Sequence, residues 1–293
     1  MFSQFLGHFL LEEGYVDTAT LNEVLKYQDK IRLKLGVLAI DLKLLTPEQV
    51  SDIHNTQARQ DKRFGEIAIE KRYMNPDQLD DLLFTQKSEH LRLIQALIDK
   101  NVFTLEEADA ILDKYKVKNQ LTDEAMDIMK RDDVDGMIDI FLDFDETFDQ
   151  ETCRNYYALL IRNMIRFVDR NIWFEEMQKT KEYEAPYLIT QVLEGRDRIM
   201  TGIAGDAGTL LQFAAQFANE PLEEMDDMME DAVGEFLNLH NGIFTVNMSD
   251  QGREMELEPQ IFLSNAKLNG NVEHYIVPVY FPYGKVDFIM GPV

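Results

Sequence analysis

Near its C-terminal third the chain reads Asp231-Ala-Val-Gly-Glu235-Phe-Leu-Asn238. On a helix, Glu235 and Asn238 at i and i+3 leave the same face, with Asp231 one turn earlier. A carboxylate in that place can pair with a cation, and a carboxamide can orient a water without acting as a general base. More often such a pair on an acidic helix is only a solvated face, so its surroundings decide the reading. Other candidate chemistry is weaker. Asp133-x-Asp135-Gly136 suggests a calcium loop, but Arg131 and Leu142 would then occupy positions that need carboxylates. Gly202-x-x-Gly205-x-x-Gly208 lacks a phosphate-loop ending and reads as a strand-to-helix turn. The lone Cys153 excludes an intrachain disulfide and a cysteine-based zinc site, and it suits a reducing cytoplasm. His240 lies two positions past Asn238, off its face, and reads as structural, as does His54.

The elements that must position Glu235 and Asn238 span residues 152–293. An amphipathic helix covers 156–168. Strands near 187–192 and 198–203 flank a Glu194-Gly195 turn. A helix over 205–217 precedes a second, 222–241, that carries the pair. Strand-like segments follow near 256–263, 275–280 and 285–290. This order predicts an α+β domain with a mostly antiparallel sheet. Trp173 reads as core or interface, and Met225, Met228 and Met229 as an adaptable apolar contact.

Residues 1–116 show a 29-residue period. Leu6-Gly7, Leu35-Gly36 and Phe64-Gly65 recur at that spacing, as do Gln28, Gln57 and Gln86. Asp17, Thr46, Asn75 and Thr104 are N-caps, and Gln49, Gln78 and Glu107 complete capping-box patterns. Pro47 and Pro76 stand at the first helical position, where the missing N–H is harmless. Four helix-turn-helix units follow from this, each burying an apolar stripe against its neighbours.

Length and charge bound the rest. The 293 residues fit about two domains at roughly 150 residues each. The net charge of −25 argues against nucleic acid or an anionic membrane as the main partner. It is unevenly spread: −5 over residues 1–116, −9 over 117–151 and −11 over 152–293. The middle segment ends in alternating Phe and acid over 141–148 and reads as an acidic helical connector. No apolar run is long enough to span a bilayer, and no basic segment leads an apolar core at the start. The layout expected is therefore 1–116 helical repeats, 117–151 connector and 152–293 an α+β domain in a cytoplasmic protein.

The pattern Asp-x-x-x-Glu-x-x-Asn, followed by Gly242 and later by Pro259 before a strand, resembles the CheC/CheX/FliY family of chemotaxis phosphatases. The order of elements over 152–293 is similar to the single-site CheX branch. The resemblance implies hydrolysis of the aspartyl-phosphate on a CheY-like response regulator. It assigns Asn238 to orienting the attacking water and Glu235 to pairing with the regulator's active-site Lys. Magnesium would come from the regulator, no metal ligand from this chain, and a homodimer is implied by the relatives' pairing. In the water-orienting role, Asn238 accepts through its oxygen while its NH₂ group is held elsewhere.

The 29-residue units resemble the tandem motif of the domain at the N-terminus of type II secretion and type IV pilus ATPases. Units two and three carry it best, in Lys34-Leu35-Gly36 to Gln57 and Arg63-Phe64-Gly65 to Gln86. That resemblance implies cyclic di-GMP as an effector held by those two triplets. Departures stand beside it: Phe5 precedes Leu6-Gly7, and Lys43 and Arg72 replace the interior glycine kept only as Gly14. The other reading is a packing scaffold in which Gly and Gln serve helix contacts. Two functions stay open on the sequence, a regulator phosphatase and a non-catalytic signalling adaptor.

Overall fold

The computed structural model describes residues 1–27, 34–57, 62–84, 89–145, 149–196, 198–224 and 226–293. Gln28, Gln86, Phe148 and Met225, singled out above, lie outside the described residues. The chain divides into two units, Met1–Asp132 and Asp133–Val293.

Unit one is helical. Its helices are α1 (Phe2–Glu12), α2 (Thr18–Tyr27), α3 (Leu35–Asp41), α4 (Pro47–Gln57), α5 (Phe64–Glu70), α6 (Pro76–Phe84), α7 (Glu89–Asp99), α8 (Leu105–Lys118) and α9 (Asp123–Lys130). The first eight form four helix pairs, and the turn inside each pair is built alike. Gly14, Lys43, Arg72 and Asn101, 29 residues apart, all take left-handed backbone with φ of 71°, 53°, 58° and 57°. The N–H groups of Tyr15, Leu44, Tyr73 and Val102 reach back to the carbonyls of Leu10, Ala39, Ala68 and Leu97. These are Schellman closures, which satisfy carbonyls the helix end would leave bare. Three residues further on, the capping boxes form. Thr46 and Gln49, Asn75 and Gln78, and Thr104 and Glu107 each exchange backbone N–H for side-chain oxygen in both directions.

The motif glycines sit where the paired helices touch. A Cβ on Gly36 would lie 2.6 Å from Val50 Cγ1, and one on Gly65 would lie 2.6 Å from Leu79 Cδ2. At Gly7 the equivalent neighbour, Leu21, is 3.4 Å away. α9 belongs to this unit, whereas α10 (Val134–Phe141) belongs to the next, so residues 117–151 are shared between the two. Asp133 is the N-cap of α10 and accepts from the Gly136 N–H.

Unit two continues with α11 (Gln150–Phe167), β1 (Trp173–Phe174), β2 (Gln178–Glu194) and β3 (Arg198–Gly205). It ends with α12 (Ala207–Ala218), α13 (Asp227–Asp250), β4 (Glu256–Leu257), β5 (Ile261–Phe281) and β6 (Gly284–Pro292). All described strand pairings are antiparallel, in the order β1-β5-β6-β3-β2-β4, and β5 also pairs with β2. The strands β2, β3, β6 and β5 thus pair in a closed circuit. Away from the helices they bury Ala185, Leu188, Ala204, Ala266, Ile276 and Ile289. Three of those six residues are alanines, so the cluster is filled largely by small side chains.

Two expectations change. The helix carrying Glu235 runs from Asp227 to Asp250 rather than 222 to 241. Phe244 and Met248 extend its buried stripe past Gly242, and Asp226 caps its start by accepting from the Met228 and Met229 N–H groups. Met229 is buried while Met228 is exposed. The segments expected as strands near 256–263 and 275–280 are a two-residue β4 and one 21-residue β5. β5 needs that length because it joins β2 along one stretch and β6 along another. Trp173 stacks on its strand partner Tyr280, ring centroids 4.0 Å apart.

Unit one yields a pair of predictions of opposite sign. Arg72 is exposed in a conformation that disfavours side chains, so Arg72→Gly stabilises by about 0.5–1 kcal/mol after glycine's own entropy is counted. Gly36→Ala drives a methyl into the stiff Val50 and destabilises by about 1–3 kcal/mol. Urea unfolding of the full chain reads both.

Candidate functional site

Helix α13 is fixed by its aromatic face. Phe236 packs edge-on against Phe213 and Phe217 of α12. One turn on, His240 and Phe244 pack against Tyr156 of α11. With that face buried, Asp231 and Glu235 are exposed and Asn238 stands half-buried at the border. The structure therefore brings Glu235 and Asn238 onto one accessible helix face. Glu235 has no hydrogen-bond or ion-pair partner among the described residues.

Asn238 is tied from behind. Gln191 on β2 is 2% exposed and lies opposite Thr201 on β3, both facing α13. Gln191 Nε2 donates to Asn238 Oδ1 at 3.0 Å and to the Glu258 carbonyl at 3.0 Å. Gln191 Oε1 accepts from Asn241 Nδ2 at 2.9 Å, and that nitrogen also donates to Thr201 Oγ1 at 2.9 Å. Thr201 Oγ1 donates to the Gln191 carbonyl, and Tyr156 Oη donates to Asn241 Oδ1. Every amide group behind Asn238 is thereby satisfied, as burial demands.

This differs from the expected arrangement of the carboxamide. Its Oδ1, not its NH₂ group, is the held end. One Oδ1 lone pair stays open, and Nδ2 has no partner among the described residues. The rim of the site is fastened as well. Glu258 N donates to the Val192 carbonyl, Arg198 pairs with the Glu258 carboxylate, and Gln260 Nε2 donates to the Gly234 carbonyl at 3.1 Å.

Titratable groups near the site have one-sided surroundings. Burial pushes His240 down to about 3, so its imidazole is neutral at ordinary pH, with Nδ1 accepting from Asn163 Nδ2. The Glu230 carboxyl is raised by burial and then by Asp227 and Asp231 beside it. Cys153 is buried against Met290 and pushed up to about 12 by that burial, which leaves an unreactive thiol.

The six residues expected to hold an effector lie in unit one. The Lys34 ammonium is engaged by Asp99, and its backbone N–H donates to Gln95. Leu35 is half-buried at the start of α3, and Gly36 faces Val50, with Phe64 next to it at 3.5 Å from a Cβ. Phe64 is buried edge-on against His54. Arg63 is exposed and its N–H donates to Glu66, while Gly65 faces Leu79. The two triplets are adjacent through Gly36 and Phe64, and helix packing accounts for both glycines.

Residues 188–283 match the family model described as chemotaxis phosphatase CheX. The matched segment, which runs from within β2 to the turn before β6, is CheX-like. Glu235, Asn238, Gln191, Asn241 and Glu258 all fall inside the matched segment. Among solved structures, the chain is similar to a CheC-like superfamily protein from Shewanella sp. PV-4, at 16% identity and TM-score 0.44, covering 49% of this chain and 98% of that one. It is similar to chemotaxis protein CheX from Vibrio vulnificus, at 15% identity and TM-score 0.42, covering 48% and 98%. It is also similar to a chain of the CheX–CheY–BeF3–Mg complex from Borrelia burgdorferi, at 18% identity and TM-score 0.38, covering 48% and 96%. No curated protein matches the chain. No described helix is long and apolar enough to cross a membrane.

Sequence reasoning passed over Gln191, Thr201, Asn241 and Tyr156 in the CheX-like unit. A signal was present: Gln191 interrupts the apolar run Leu188-Ile189-Thr190-Gln191-Val192-Leu193 at a position facing the helices. Asn241 follows Asn238 by three, on a neighbouring stripe of α13.

His240 gives a stability prediction with a definite sign. Its folded pKa is depressed, so below about pH 6.5 the unfolded chain takes a proton that the folded chain refuses until about pH 3. Stability present above pH 6.5 is lost through that window, by about 2 kcal/mol between pH 6.5 and 5. His240→Gln, which keeps an acceptor for Asn163, flattens the slope in denaturant unfolding over that range.

Proposed function

We propose that the CheX-like domain hydrolyses the aspartyl-phosphate of a CheY-like response regulator. One observation carries the reading: an exposed carboxylate, Glu235, without a partner among the described residues, shares a helix face with an amide, Asn238, locked from the core side. The match of residues 188–283 to a chemotaxis phosphatase family supports the same chemistry.

In the reaction, a water oxygen bonds to phosphorus and the acyl P–O bond breaks. The regulator's aspartate leaves as a carboxylate with the electron pair, and the water's proton goes to the released phosphate. The regulator's own divalent cation and lysine supply charge neutralisation at the phosphoryl oxygens. What this chain adds is order. Asn238 Oδ1 retains a lone pair that can accept from the attacking water, which aligns it without a proton transfer to the protein. Glu235 offers its carboxylate to the regulator's lysine and so sets the docking. The acidic stretch Asp227, Glu230, Asp231 and Glu235 disfavours free phosphate esters and suits a phosphoryl group carried by a protein with a cation beside it.

Phosphate release from a phosphorylated regulator tests this. Asn238→Ala should lower kcat by about 100-fold, the scale of a lost positioning group. Glu235→Ala should weaken docking by about 10-fold, seen mainly in KM. Wild-type protein no faster than the regulator's own dephosphorylation, across the organism's regulators, would sink the reading.

A further inference from the structure

We propose that Gln191 is a positioning residue: it dictates which end of the Asn238 carboxamide faces the regulator. The inference rests on the phosphatase reading and deepens it.

A carboxamide on a helix has two planar orientations of nearly equal shape, differing only in where oxygen and nitrogen lie. Among the described residues, no group of α13 bonds directly to the Asn238 side chain. The choice comes from β2 and from the segment before β5. Glu258 presents a backbone carbonyl, which can only accept, so the end of Gln191 facing it must be Nε2. The second hydrogen on that nitrogen then points at Asn238 and requires Oδ1 there.

The opposite polarity fails at a definite place. Turning Asn238 over would aim its NH₂ at the NH₂ of Gln191. Turning Gln191 as well would set Gln191 Oε1 against the Glu258 carbonyl, two acceptors with no hydrogen between them. The far end of Gln191 is held too, because Asn241 Nδ2 donates to its Oε1 and to Thr201 Oγ1. Thr201 Oγ1 spends its own hydrogen on the Gln191 carbonyl. Two backbone carbonyls, those of Glu258 and Gln191, therefore fix the direction of the whole chain of amides.

The consequence lies in what stays uncommitted. Beyond the Gln191 bond, Asn238 has one Oδ1 lone pair and both Nδ2 hydrogens without a partner among the described residues. It can accept from the attacking water and donate to a phosphoryl oxygen in the same pose. An unfixed amide would spend part of its time with the atoms exchanged, and the water would meet a donor instead of an acceptor.

The test uses the full chain with Gln191→Met, which keeps length and apolar stem while removing both amide groups. Gln191→Glu, of equal size, is the second variant should the first unfold. Two quantities are read: ¹⁵N relaxation of the Asn238 side-chain amide, and single-turnover dephosphorylation beside affinity for a beryllofluoride-loaded regulator. The expected result is an Asn238 amide as rigid as the backbone in wild type and mobile in the variants. The rate should fall about 10-fold or more with affinity kept within about twofold. In Gln191→Glu the rate deficit should shrink on acidification, as the neutral acid regains a donor. An Asn238 amide equally rigid in wild type and variants would overturn the proposal, as would rate and affinity lost together. If wild type releases no phosphate from any regulator, the phosphatase reading fails, and the relaxation data still decide whether Gln191 holds Asn238.

Discussion

A carboxamide cut off from water costs on the order of 1–3 kcal/mol for each donor or acceptor left unmatched. Gln191 is such a group, nearly sealed between a sheet and α13, and the second unit is arranged so that nothing on it goes unmatched. Thr201 must sit opposite it on β3, Asn241 must arrive from the helix, and the Glu258 carbonyl must close from the loop before β5. Together with the aromatic face packed on α11 and α12, these requirements set the rotation of α13 about its axis. With Asn241 pointing at the sheet, Asn238 falls at the border and Glu235 in solvent. Exposure at the site is thus a result of satisfaction in the core.

The helical unit is governed by different physics. Its order is local: a Schellman turn, then a capping box, then a glycine-mediated contact, repeated along the chain. The first two satisfy backbone groups within a few residues of themselves, and the third joins helices that follow each other directly. Lys43 and Arg72 hold left-handed backbone without glycine, which shows the turn closing against a local penalty of about 1–2 kcal/mol. The glycines survive instead at Gly36 and Gly65, where a neighbouring side chain leaves no room for a methyl group.

That contrast explains what could be read from residues alone. The capping boxes at Thr46, Asn75 and Thr104 are short-range and their spacing is visible, so helix starts followed directly. Glu235 and Asn238 share a face by helix geometry alone, but whether that face stands open depends on what α13 packs against, which residues near in sequence do not reveal. The reach of α13 to Asp250 did not, because Gly242 looks like a stop until Phe244 and Met248 find their pockets. The single strand over Ile261–Phe281 was also hidden, since its length answers to two partners far away in sequence. The polarity of the Asn238 amide was beyond reach for the same reason: it is set by a carbonyl at Glu258, twenty residues on, acting through a glutamine on another strand.

The closed circuit of β2, β3, β6 and β5 also bears on when the site comes into being. Hairpin pairing of β2 with β3 can form early, as can the helices of unit one, because their partners are near in sequence. Circuit closure brings Gln178 to Ile276 and Ile199 to Pro292, and contacts of such high contact order form slowly. A growing chain therefore carries Glu235 and Asn238 well before β5 and β6 exist to close the circuit. Gln191 and Thr201, which face α13, are already present through that interval. The strands that complete the sheet around them, β5 and β6, come last along the chain.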